Sequence, residues 1–355
     1  MIIKKIKYKP FCEGLKKTFL SAANQITERT GFYLSIEDQY GNTGLGEISP
    51  LTGFSKESIS DAENDVEYLC QFLSGKEVKP NHILSSDPFY DKIIVPSVCF
   101  GFEQAILNLL LCYNRDLFSK HINLSQKKII PANTVIDLTD KDEILNEVMI
   151  NIKSGYQTIK LKVGRKNFND DLEILDALRK NIPDEVQIRL DANSAWDADT
   201  AYQNLQKLAP YKIQYIEDPC DHIDCLNRLS KISPIPIALD FTIKSIDELE
   251  SCINSGLFRF IVIKPMILGS IFKLIEIIKL AEVKNIYVVI SSAFETVVGR
   301  SMLVFLSSLV KHNYAHGLAT SSFFEDEGIP DAFPIENGAI KFDPTTYPPK
   351  FEIEL

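Results

Sequence analysis

Between residues 129 and 318 the chain repeats a single structural step. Short β-rich runs (Ile129 to Ile136, Thr158 to Val163, Val186 to Asp191, Gln214 to Glu217, Ile235 to Asp240, Phe260 to Lys264, Ile286 to Ser291 and Tyr314 to Leu318) alternate with helical stretches. From Lys162 to Ser291 the strand ends fall 23 to 29 residues apart, with no gap for a domain boundary. A βα step this regular leaves two architectures, a closed parallel barrel or a doubly wound open sheet. An open sheet is covered by helices on both faces, so its strands are apolar on both. These strands alternate instead: Val186, Ile188 and Leu190 oppose Arg189 and Asp191, and Ile159, Leu161 and Val163 oppose Lys160 and Lys162. The expected fold class is α/β, a TIM-like barrel whose inner face becomes polar at the C-terminal ends of its strands.

The preceding residues have a different texture. Ile2 to Tyr8, Gly31 to Asp38 and Thr43 to Ile48 read as strands, the last two forming a hairpin at Tyr40-Gly41-Asn42. Residues 55 to 74 read as an amphipathic helix capped by Ser55 or Ser58, and Val98 to Tyr113 as a buried helix, apolar nearly all round. Phe11 to Thr30 and Ser49 to Phe54 read as loops. Gly44, Gly46 and Glu47 resemble a dinucleotide fingerprint only superficially, since no helix follows them. The expected organisation is an α+β capping domain over 1–122, a barrel over 123–318 and a C-terminal segment, 319–355, returning to the capping domain.

A net charge of −10 and a pI near 5.2 exclude a nucleic-acid or anionic-membrane partner, and the apolar runs are too short to span a bilayer. The 7 cysteines are scattered, and no apolar leader follows Met1, which points to a reduced, cytoplasmic protein. Cys220, His222 and Cys225 fit no standard zinc spacing and read as loop chemistry without a metal.

Consecutive strands end in ionisable residues: Lys160 and Lys162, Asp191, Glu217, Asp240 and Lys264. Singly, each is an ordinary strand-end charge. In a barrel they ring one mouth, where such folds place their chemistry. Three carboxylates there repel unless a divalent cation neutralises them, and an all-oxygen set suits Mg²⁺, with Mn²⁺ as the substitute. A lysine facing a metal and another lysine loses basicity and becomes available as a proton-abstracting amine. That suits proton removal α to a carboxylate.

Lys160-x-Lys162, Asp191-Ala192-Asn193, Glu217-Asp218-Pro219, Ala238-Leu239-Asp240 and Ile263-Lys264-Pro265 resemble, in this order, the enolase superfamily. The resemblance covers nearly the whole chain and implies a (β/α)7β barrel closed over by the two capping-domain loops. It assigns Asp191, Glu217 and Asp240 to Mg²⁺, Lys162 to base and acid catalysis, Lys264 to the opposite face, and Lys160 to tuning Lys162. With Lys264 on the sixth strand and no His ending the seventh, the chain looks like the muconate lactonizing subgroup. Val262 to Gly269 and Ser291-Ser292-Ala293-Phe294-Glu295-Thr296 look most like the o-succinylbenzoate synthase family of menaquinone biosynthesis. That family dehydrates a small anionic dicarboxylate. N-succinylamino acid racemases share much of these segments, whereas dipeptide epimerases carry an Asp-x-Asp where this chain has Gly317 to Ser321. A barrel that binds a metabolite without turnover is the alternative from another class. By resemblance Asn193, Ser291, Ser292 and Gly269 meet substrate. Asp218 and Glu295 either support the site or serve a turn and a helix start. Phe241 stands where the family often has Glu after the fifth-strand Asp, so the neighbourhood of Asp240 differs. A homo-oligomer is compatible with the family.

Overall fold

The computed structural model describes residues 1–20, 25–78, 94–114, 125–138, 140–325 and 328–355. The chain begins with three antiparallel strands in spatial order, β1 (Ile3–Leu20), β2 (Gln25–Asp38) and β3 (Thr43–Ile48). The hairpin between β2 and β3 is present, with Gly41 at φ 82°. Within the stretch expected as a loop, Phe11 to Leu20 and Gln25 to Thr30 are instead paired strand, forming an arm: Phe11 pairs with Gly31, Cys12 with Thr30 and Glu13 with Arg29. The arm is held by backbone pairing and by Phe11 stacked on Tyr33 at 4.5 Å, so it lacks the alternation that would have marked it as strand.

Ser58 caps α1 (Ile59–Leu73) in a reciprocal box with Asp61. Helix α2 (Pro96–Tyr113) packs on β3 so closely that a Cβ at Gly44 or Gly46 would lie 1.9 Å from a carbonyl oxygen of α2. These two glycines serve backbone approach rather than nucleotide binding. By length and composition α2 could cross a membrane, but 78% of it is buried inside the protein, which marks the core helix of a capping domain.

The repeating region forms one curled parallel sheet in sequence order: β5 (Thr134–Ile136), β6 (Thr158–Lys162), β7 (Gln187–Asp191), β8 (Ile213–Glu217), β9 (Ile237–Leu239), β10 (Phe260–Ile263) and β11 (Tyr287–Ile290). The eighth position is taken by His316 and Gly317. His316 bridges Ala132 and Gly317 bridges Ser291, joining the two edges of the sheet. The barrel has two separate apolar packings. Ile159, Ile188, Leu190, Ile216 and Leu239 face outward into the large core beneath the helices, while Tyr215, Ala238, Phe260, Val262 and Val289 form a second cluster inside. That inner plug makes the barrel a packed core rather than a pore, and puts any chemistry at its ends.

The run at 129–136 splits in two. β4 (Ile129–Pro131) leaves the barrel to pair with β13 (Ala339–Lys341), itself hairpinned to β12 (Ile335–Glu336). The last residues return to β1, where the Lys7 and Lys9 ammoniums donate to the carbonyls of Leu355 and Glu354. The expected boundary at 122/123 lies outside the described residues.

One expectation is corrected. Cys220 and Cys225 are joined in a disulfide, with Cα atoms 6.5 Å apart, so the cysteines are not uniformly reduced. Cys220 leaves β8 through Pro219 and Cys225 sits in the first turn of the helix Ile223–Ile232, a turn that brings the two sulfurs together.

Candidate active site

Parallel register builds the mouth. Lys162 pairs with Asp191 and Asp191 with Glu217 across β6, β7 and β8, setting three inward side chains at one level. Asp240 and Lys264 follow the last residues of β9 and β10. All five line one cleft with Lys160, Asn193, Ser291 and Ser292, floored by Tyr215, Val262 and Val289. In an eight-membered ring β6 and β10 are four positions apart, so Lys162 and Lys264 enter from opposite sides.

Oxygen atoms of Asp191, Glu217 and Asp240 all lie within 4.8 Å of one another, and all three residues are buried. An all-oxygen, buried carboxylate set of this compactness fits a hard divalent cation. Two ammoniums balance its charge. Lys160 Nζ is 2.8 Å from Asp191 and also bonds Glu217, while Lys264 Nζ bonds both oxygens of Asp240. Burial raises the Glu217 carboxyl to about 8, with Asp191 and Asp240 adding to it against the pull of Lys160. The Lys160 ammonium is held well above the usual lysine range, because Asp191, Glu217 and Asp240 outweigh its burial. It acts here as a fixed positive charge among the carboxylates.

Sequence reasoning missed Asp137, whose carboxylate is 3.3 Å from Lys162 Nζ. It directly follows β5, so the strand-end rule that found the others would have found it too. Asp218 lies behind the ligand set. At φ 35° it turns the chain back, and its carboxylate accepts from the Asp240 N–H at 3.1 Å and the Thr242 N–H at 2.9 Å. Phe241 turns its ring to Lys264, with Nζ 3.4 Å from the centroid, and packs at 4.3 Å on Phe54 of the capping domain.

Leu51 and Phe54 bring the segment 49–54 into the cleft wall. Arg29, on the β2 arm, fixes that segment. Its guanidinium is buried and donates to the carbonyls of Ser49, Pro50 and Phe294, tying capping domain to barrel. Glu295 is buried below the cleft with Oε2 accepting from the Ser292 hydroxyl. Gly269 lies outside the lining, where the short helix Pro265–Leu268 ends at φ 95° against Pro96.

Residues 144–346 match the model of the family described as enolase C-terminal domain-like, and residues 15–109 match the one described as MenC, N-terminal domain. The chain is similar to the o-succinylbenzoate synthase of Aliivibrio salmonicida, 29% identical with 85% of each chain covered. It is also similar to that of Bacillus subtilis, 27% identical over 95% of this chain and 91% of the relative. Among solved structures it superposes on MenC from Desulfotalea psychrophila with a TM-score of 0.81 at 21% identity, covering 96% and 100% of the two chains. It superposes with a higher TM-score, 0.87, on the L-Ala-D/L-Glu epimerase of Bacillus subtilis, at 19% identity and 97% of each chain covered. These two structures share its fold.

Proposed function

The chain belongs to the enolase C-terminal domain-like family, and on that premise we propose that it is an o-succinylbenzoate synthase. It dehydrates 2-succinyl-6-hydroxy-2,4-cyclohexadiene-1-carboxylate to 2-succinylbenzoate. The observation that carries the choice is the charge of the cleft. Among the described lining residues, Asp191, Glu217 and Asp240 are the only carboxylates, so nothing stands ready to pair with a substrate ammonium. A dipeptide epimerase needs such a partner, and a dicarboxylate does not. The relatives named o-succinylbenzoate synthase support the same reading.

Asp191, Glu217 and Asp240 would hold Mg²⁺, which when bound stabilises negative charge on a substrate carboxylate. Lys162, kept in place by Asp137, removes the proton α to the ring carboxylate. It returns that proton to the departing hydroxyl on the same face, so water leaves by syn elimination. Lys264 presents its charge from the opposite side while the enediolate exists, and Asp240 and Phe241 hold it there. Aromatisation makes the step downhill, so positioning and charge stabilisation are what the protein supplies.

Absorbance of the cyclohexadiene is followed with Mg²⁺ present. The expected result is its conversion by the wild type, abolished by EDTA and slowed by about 10²- to 10⁴-fold in Lys162→Ala. Undiminished turnover by Lys162→Ala would overturn the assignment of the base.

A further inference from the structure

A hydrogen-bonded chain leads from the cleft to a buried carboxyl that the elimination does not use. The Thr320 hydroxyl, on the cleft wall, donates to Ser292 Oγ at 2.8 Å, and the Ser292 hydroxyl donates to Glu295 Oε2 at 2.5 Å. Ser292 Oγ also accepts from the Phe294 N–H at 3.0 Å. Its capacity is therefore full. A hydroxyl has one donor and two acceptor positions, and here the backbone of Phe294 permanently fills one acceptor. Thr320 and Glu295 must share the other acceptor and the single donor, and they can only exchange roles together.

We propose that Glu295 is a positioning residue whose proton reverses this chain and so turns the Thr320 hydroxyl toward the cleft as a donor to a carboxylate of the substrate. With Glu295 ionised, Ser292 donates to it, Thr320 donates to Ser292, and the cleft receives no hydrogen from either. With Glu295 protonated, its O–H donates to Ser292, Ser292 donates to Thr320, and the Thr320 hydrogen is released into the cleft. One proton is taken up and no bond between heavy atoms changes.

The surroundings of Glu295 make the protonated form accessible. The residue is fully buried and its Oε1 has no hydrogen-bond partner, which penalises the anion. Its carboxyl is raised to about 7, by burial first and by Glu47, facing it from β3, against the Ser292 hydrogen bond and Arg29, facing it from β2. An anion held at Thr320 favours the released hydroxyl, and hence the protonated carboxyl, so binding draws in a proton.

This rests on the dicarboxylate reading above. The test is calorimetric titration of the Mg²⁺-loaded protein with 2-succinylbenzoate, in buffers of different ionisation enthalpy and from pH 6.5 to 9. For the wild type we expect net proton uptake and an affinity that falls by up to about tenfold per pH unit above pH 7. In Glu295→Gln, the Ala293 N–H, now 2.8 Å from Oε2, keeps the amide oxygen at that position. Ser292 must then donate to it at every pH. Glu295→Gln is expected to bind as the wild type does at pH 9, without the extra uptake. Thr320→Val should behave likewise, and Thr320→Ser should restore the linkage. If Glu295→Gln takes up as many protons as the wild type, the relay is overturned while the synthase assignment stands. If the wild type neither turns over the cyclohexadiene nor binds the product, both fall.

Discussion

Lys160 and Lys162 lie two positions apart on one strand face and meet different partners, which separates their roles. Lys160 is locked between Asp191 and Glu217, whereas Lys162 meets the more exposed Asp137 and reaches the cleft. Replacing Lys162 by Ala is therefore expected to lower kcat/KM by about 10²- to 10⁴-fold, the usual contribution of a positioned base. Mg²⁺ affinity, read by calorimetry, should change little. Asp218 offers a different test. Its two carboxylate oxygens accept one N–H each, from Asp240 and Thr242, and Asn cannot accept both. Asp218→Asn should weaken Mg²⁺ binding by about 10- to 100-fold, because the backbone that aims Asp240 loses its anchor. At this scale the ionisable strand ends were readable from spacing alone. The ion pairs of Lys160 were not, because spacing shows that charges are near one another without showing which ones touch.

The capping domain and the barrel meet through β3 and the helix Val297–Ser308, and one carboxylate joins them. Glu47 is fully buried and accepts from the Ser49 and Thr296 hydroxyls and from the backbone N–H groups of Thr296 and Gly299. Removing it strands several buried donors at once. Glu47→Ala is expected to cost about 2–5 kcal/mol in urea denaturation, more than a single neutral hydrogen bond would. A smaller loss, within about 0.5 kcal/mol of wild type, would mean the junction is held by apolar packing instead. The sequence showed Glu47 only as part of an incomplete glycine motif, since its partners lie some 250 positions along the chain and no local pattern records that separation. The β1–β2 arm escaped for a related reason. Its cross-strand pairing is a backbone property, and residues 11 to 14 do not alternate.

The whole barrel carries a pH dependence at the end remote from the cleft. Burial lowers His312 to about 4, and its ring is fixed as the neutral form by accepting the Tyr314 N–H at Nδ1 and bonding the Val288 carbonyl through Nε2. His316 is likewise pushed well below the usual histidine range by burial and by His312. The unfolded chain binds these protons first, so the histidines' contribution to stability is complete above about pH 6.5 and declines as pH falls toward 4. His312 alone accounts for about 3 kcal/mol of that decline, and His312→Gln should flatten the profile of urea midpoints between pH 7 and 4.5. The barrel itself was legible because a βα step repeats visibly in one dimension, and its closing strand appeared as the run Tyr314 to Leu318. The splitting of the run at 129–136 was hidden, because both halves are equally apolar and only their partners differ. The central claim is that this mouth eliminates water rather than epimerising a stereocentre. It is tested most directly by supplying the Mg²⁺-loaded protein, in D₂O, with the cyclohexadiene carboxylate and, separately, with N-succinylamino acids and dipeptides, followed by NMR. Rapid formation of 2-succinylbenzoate and slower or no deuterium entry at the α-carbons are expected. Rapid α-deuteration without any 2-succinylbenzoate would contradict it.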